Sequence, residues 1–181
     1  MLKNTERRYG SLSIGLHWLT LLLMIAIYSL MEFRDIFPKG SVGRDAMKEW
    51  HFMLGLLILA LVVVRLLVRF SSPSPRIEPA LSPLMLRLAQ LAHLALYGFL
   101  LLTPLLGWLL LSAGGKPIPF FGAELPALMA PDDGLKGTIK ELHETLANIG
   151  YALIALHAAA ALYHHHVLKD NTLTNMLPEK R

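Results

Sequence analysis

Histidine is the residue in this chain whose placement calls for chemistry. Of eight histidines, His17, His51, His93, His143 and His157 fall in or at the ends of long apolar stretches. An imidazole is costly to hold in hydrocarbon, so each needs a polar or metal partner there. His143 and His157 are 14 residues apart. On a helix that is about 1400° of turn, within about 40° of one face, and about 21 Å along the axis. One helical face therefore presents an imidazole near each of its ends. Two imidazoles that meet across a bundle can ligate the iron of a flat macrocycle from both sides. With no position left open, such a site passes electrons rather than binding oxygen. The chain has no cysteine, which excludes disulfides, thiolate zinc sites, iron–sulfur clusters and covalently attached haem.

The elements that position these histidines follow from hydropathy. The composition is 54% hydrophobic and 17% charged, which suits lipid better than water as the solvent. Four apolar stretches, at about residues 12–31, 50–68, 86–112 and 142–168, have the length, about 20 residues, that spans a hydrocarbon core. Between them lie segments rich in charge and breakers, including the Ser-Ser-Pro-Ser-Pro run at 71–75 and Pro117, Pro119, Pro126 and Pro131 in the third loop. None of the four stretches shows the ten-residue alternation of a barrel strand, so helices are expected. The predicted fold is all-α: an integral membrane four-helix bundle forming one domain over residues 1–181, without internal repeats. The charged amino terminus before the first stretch looks like a signal peptide, but a span of full length with no small-residue cleavage site predicts a retained first helix.

Lys3, Arg7, Arg8, Arg65, Arg69, Arg76, Arg87, Lys169, Lys180 and Arg181 put ten of the seventeen basic residues on the side of the two termini and the second loop. The other seven lie on the opposite side with nine carboxylates, counting Glu144 just inside the fourth stretch. The positive-inside rule then predicts cytoplasmic termini. The net charge of +4 is scattered over loops rather than massed in a stripe, which argues against nucleic acid. In this topology His17 and His157 share a cytoplasmic level, and His51 and His143 share the opposite one. A lone membrane histidine is more often a packing residue than a ligand; four in two depth-matched pairs predict ligation. Gly15, Gly55 and Gly150, with Ala147, Ala158 and Ala161, thin the helix surfaces as a wedged macrocycle requires, although small residues also serve ordinary helix packing. His93 enters with the third helix and has no unmatched partner; it is read as a propionate partner, a site-lining residue or a substitute for His17 or His157. Adjacent helical residues diverge by about 100°, so His164, His165 and His166 cannot converge on one metal without unwinding and are read as interfacial.

Several segments resemble the bacterial di-haem cytochrome b561 family: Ser13-Ile14-Gly15-Leu16-His17-Trp18-Leu19, Met31-Glu32-Phe33-Arg34, His143-Glu144-Thr145-Leu146-Ala147-Asn148-Ile149-Gly150-Tyr151, Leu156-His157-Ala158-Ala159-Ala160-Ala161-Leu162 and Lys169-Asp170-Asn171-Thr172-Leu173. The likeness covers essentially the whole chain and is greatest to superoxide-oxidising members. It implies two haems b, an outer one on His51 and His143 and an inner one on His17 and His157, in the bacterial inner membrane. It also implies oxidation of superoxide on the periplasmic side and reduction of ubiquinone with cytoplasmic protons. Arg34, Lys39, Arg44 and Lys48 in the first loop are then candidates to steer an anion or hold propionates, against a neutralising background of Glu32, Asp35, Asp45 and Glu49. Arg65 and Arg69 are either inner propionate partners or snorkelling anchors. Arg87 and His93 are quinone-site candidates by location. Two other readings stand beside this one. The chain could be a haem-bearing anchor that passes electrons between quinone and a soluble hydrogenase, dehydrogenase or cytochrome, or a transporter or metal-handling protein without haem. Beyond lipid, the expected partners are superoxide, ubiquinone and an electron-transfer protein or a second copy of the chain.

Overall fold

A computed structural model describes residues 2–178; Met1, Glu179, Lys180 and Arg181 lie outside the described residues. Four long helices dominate: α1 (Ser11–Glu32), α2 (Val42–Phe70), α3 (Pro83–Ala113) and α4 (Asp133–Tyr163). All four are long and apolar enough to cross a membrane. Large apolar side chains such as Leu22, Leu94 and Leu156 are more than 60% exposed, an arrangement that hydrocarbon stabilises and water would not.

Polar caps start three of the helices. The side chains of Ser41, Ser82 and Asp132 accept from the backbone N–H groups of Arg44, Met85 and Leu135, at 3.4, 3.3 and 3.0 Å. Pro83 follows the second of these caps at a position where its missing N–H costs nothing. These caps place the starts of α2 and α4 well before the apolar stretches, by eight and nine residues respectively. Hydropathy marks where lipid begins, whereas a cap marks where the helix begins, and both helices project beyond the lipid.

Helix α1 packs on α2, α2 on α3 and α3 on α4. The α1–α4 seam is joined through side chains: the Tyr28 hydroxyl donates to the Ala147 carbonyl at 2.7 Å, and the Tyr151 hydroxyl to Glu32 at 2.6 Å. At mid-bundle Met24, Ile58, Val62 and Phe99 form a core with Leu153 and Ile154 packed against it. Gly150 is the one buried residue of α4. A Cβ there would lie 2.4 Å from both Phe99 Cζ and the Tyr28 hydroxyl. Its missing side chain thus admits two protein rings, so of the two readings of Gly150, a gap for a macrocycle and ordinary helix packing, the structure shows the second: it is a contact point between helices.

Two faces cap the bundle. The terminal face carries residues 2–10, the α2–α3 connection and the tail. Asn171 ties the last two together: its backbone N–H donates to Glu78 O at 3.2 Å, while its side-chain oxygen accepts from the Glu78 N–H at 2.9 Å. The Trp18 indole donates to Met176 O at 2.8 Å. After Tyr163 the chain unwinds into one π turn, His164–Leu168, ended by Lys169 in the left-handed region at φ 55°. The loop face carries a short turn, Arg34–Ile36, and a two-residue hairpin of β1 (Pro119–Phe120) and β2 (Ala123–Glu124). Positive φ at both Phe121 and Gly122 gives the hairpin its tight reversal. The Phe121 N–H reaches Met53 Sδ at 3.4 Å, and the Trp108 indole donates to Pro126 O at 3.0 Å. Both bonds hold the third loop over the end of the bundle.

Candidate haem sites

On the loop-face side, His51 of α2 and His143 of α4 stand with ring centres 6.2 Å apart. On the terminal-face side, His17 of α1 and His157 of α4 stand at 6.2 Å as well. An imidazole nitrogen lies about 2 Å from a metal it ligates and a ring centre about 1 Å further back, so two rings on opposite sides of one ion stand about 6 Å apart. Both pairs have that separation.

The rings are oriented from behind. His143 Nδ1 lies 2.9 Å from Thr103 O, and His51 Nδ1 lies 3.4 Å from Ile27 O. A carbonyl accepts, so each bond places the proton on Nδ1 and leaves Nε2 with its lone pair, the tautomer a metal-ligating imidazole takes. Thr103 immediately precedes Pro104, which sits inside α3. His17 is held differently: Arg65 Nη2 lies 3.4 Å from its Nδ1, and because a guanidinium only donates, this contact puts the proton on Nε2, so ligation by His17 requires Arg65 to move off Nδ1. The guanidinium groups of Arg65 and Arg69 stand 5.8 and 6.0 Å from the Tyr97 ring centre. His93 comes within 5.7 Å of His157, ring centre to ring centre, so three imidazoles gather at the terminal level.

Space for a macrocycle is tested by α4. Apart from Gly150, none of its residues is buried, although α4 carries one histidine of each pair. Leu153 and Ile154 are partly buried against the mid-bundle core, and His143 and His157 lie outside that packed layer, toward the two ends of α4. A Cβ added at Gly15 or Gly55 would touch nothing within 4 Å. Beside His51 and His143 lies a cleft of about 250 Å³, open in part at the surface. Gly107 lines it, and a Cβ there would come 3.3 Å from the His143 ring. The ring separations fit a haem at each level, and at the loop-face level a cleft opens beside the pair.

Lys116, Lys136 and Lys140 line the same cleft, and none of them was singled out from sequence. Lys136, Lys140 and His143 follow the four-plus-three spacing of one helical face, a signal hidden when residues 132–141 are read as loop. The first-loop cations sit elsewhere. Arg44 pairs with Asp35 and donates to Phe37 O at 3.3 Å, Lys48 pairs with Asp45 at 2.8 Å, and Arg34 approaches Met31 Sδ at 3.3 Å. Lys39 is exposed. On the terminal face Arg87 is exposed on the first turns of α3. The histidine run diverges: His164 turns to Asp170 at 2.5 Å, whereas His165 and His166 lie edge to face at 4.8 Å. Burial pushes the Asp170 carboxyl up, but hydrogen bonds from His164 and the Thr172 N–H outweigh it and hold the group below the usual carboxylate value. Among the described residues no three His, Asp or Glu side chains converge as a metal cluster. Facing pairs are what bis-axial haem ligation uses.

Four membrane helices with a facing imidazole pair near each end have the architecture of a membrane-bound b-type cytochrome. A family model described as prokaryotic cytochrome b561 matches residues 8–179. The chain is 41% identical to cytochrome b561 homolog 1 of Escherichia coli K12 over 174 residues, 96% of this chain and 99% of that protein. It is 40% identical to the probable superoxide oxidase CybB of Yersinia pestis over 176 residues, 97% and 99% of the two chains. With cytochrome b561 homolog 2 of Escherichia coli K12 it shares 34% identity over 175 residues, 96% of this chain and 93% of that one. The chain belongs to the prokaryotic cytochrome b561 family. It is therefore a multi-pass membrane oxidoreductase that binds haem b and transfers electrons.

Proposed function

We propose that this chain oxidises superoxide at its loop face and reduces ubiquinone at its terminal face, through one haem b on His51 and His143 and a second on His17 and His157. In this reading the loop face is periplasmic and both termini lie in the cytoplasm of a bacterium, as the basic bias of the terminal side supports. When bound, the two haems supply one-electron carriers at the two levels. The balanced reaction takes two superoxide anions, one quinone and two protons to two dioxygen molecules and one quinol.

The observation that carries the reading is the lysine-lined mouth of the cleft at His51 and His143. Superoxide is a small anion, and cations around a concave opening raise its local concentration and rate of arrival. Lys136 and Lys140 keep carboxylate neighbours, Asp133 at 3.4 Å and Glu144 at 3.2 Å, which offset part of their charge, while Lys116 also lines the cleft. The Yersinia relative's name supports superoxide as the donor. Between the levels, Met24, Ile58, Val62 and Phe99 form a dry layer that excludes water from the path. At the terminal face His93, beside His157, and Arg87 are candidates to receive the quinone, and protons reach it from that face.

Stopped-flow mixing with superoxide tests this reading. The double variant Lys136→Gln/Lys140→Gln is expected to lower the second-order rate of haem reduction about tenfold at low salt and to flatten its decline with ionic strength. A rate and salt dependence unchanged from the parent chain would contradict a lysine-guided anion donor.

A further inference from the structure

The two imidazole pairs differ in what stands behind them. At the loop-face pair both Nδ1 atoms face backbone carbonyls, Ile27 O at 3.4 Å and Thr103 O at 2.9 Å. A carbonyl behind Nδ1–H makes the imidazole a stronger donor to its metal and so stabilises the more positive, oxidised state. At the terminal-face pair the nearest group behind His17 is the Arg65 guanidinium, 3.4 Å from Nδ1. An arginine stays charged at every accessible pH. Among the described residues Arg65 has no carboxylate within 4 Å, and Arg69 stands on the same face, over the same Tyr97 ring.

We propose that Arg65 gives the His17–His157 site the higher reduction potential of the two, and so sets electron flow from the loop face to the terminal face. The inference rests on the haem assignment above and concerns the direction of transfer. A cation beside a redox centre favours the state with one more electron, and no carboxylate among the described residues offsets Arg65. Lysines also line the other cleft, but Lys136 and Lys140 have acidic partners and no lysine replaces the two carbonyls behind the rings. The terminal-face pair combines a neighbouring cation with one ring that lacks a carbonyl bond; the loop-face pair has two carbonyl bonds and a partly neutralised field.

Potentiometric titration of the detergent-purified protein, with haem yield per chain measured first on the same sample, tests the inference. Two one-electron waves are expected. In His143→Leu protein, which keeps only the terminal-face pair, the surviving wave is expected to be the higher one. Arg65→Gln is expected to lower that wave by at least a tenfold change in equilibrium, about 59 mV for one electron, leaving the other in place, and Arg65→Lys is expected to restore most of it. If Arg65→Gln shifts neither wave, or both equally, or if the wave surviving in His143→Leu is the lower, the proposal is overturned. A yield below two haems in the parent chain would instead overturn the site assignment, and the proposal with it.

Discussion

His143→Leu is expected to take the purified protein from two haems b per chain to one. Leucine keeps the volume and offers no lone pair, so the His51 ring loses its opposite number across about 6 Å. The rate of reduction by superoxide is expected to fall by about two orders of magnitude, since loss of even an outer-shell partner of a metal ligand costs roughly ten- to a hundredfold. The terminal-face pair should persist. His17 and His157 lie beyond the layer of Met24, Ile58, Val62 and Phe99, and α4 is still fixed to the bundle at Gly150. Pyridine haemochrome yield beside chain concentration reads the first effect, and stopped-flow absorbance the second. Retention of both haems would exclude His143 as a ligand.

The second large effect is expected at Gly150. Alanine is a better helix former than glycine by about 1 kcal/mol, so an open site would gain from the change. Here the new Cβ would stand 2.4 Å from Phe99 Cζ and from the Tyr28 hydroxyl, on two different helices, and both cannot retreat without loosening α3 and α1 together. Overpacking of a filled interior costs about 1–3 kcal/mol, more than the propensity gain, and Gly150→Ala is expected to lower the unfolding temperature and reduce haem yield at both levels. Gly137, in the same helix with nothing within 4 Å of its missing Cβ, serves as the control: Gly137→Ala should be neutral or mildly stabilising. Thermal unfolding in detergent, followed by haem absorbance, separates the two. Equal behaviour of the two variants would mean that the α1–α3–α4 junction is looser than its geometry.

What could be read from sequence depended on how far each signal reaches. Lipid compels long apolar helices, so four of them were visible in hydropathy alone. The facing of His17 on His157 and His51 on His143 followed from helical periodicity and chain direction, both regular over many turns. The extension of α2 and α4 beyond the lipid was not legible, because polar turns such as 133–141 look like loop until the Asp132 cap is seen. Lys136 and Lys140 were lost with that extension. Gly150 was left between two readings, a gap for a macrocycle or ordinary helix packing, because a missing side chain says that something comes close without saying what; two tertiary contacts favour packing. The Asp170 bond to His164 joins residues six apart across a π turn, a backbone departure that no periodicity announces.

The most direct test is to mix the purified, oxidised protein with superoxide after counting its haem, and then to add ubiquinone. The expected result is two haems b per chain, both reduced by superoxide and both reoxidised by the quinone. Two haems that remain oxidised in superoxide would contradict the proposed donor, and a chain that carries no haem would contradict the histidine pairs themselves.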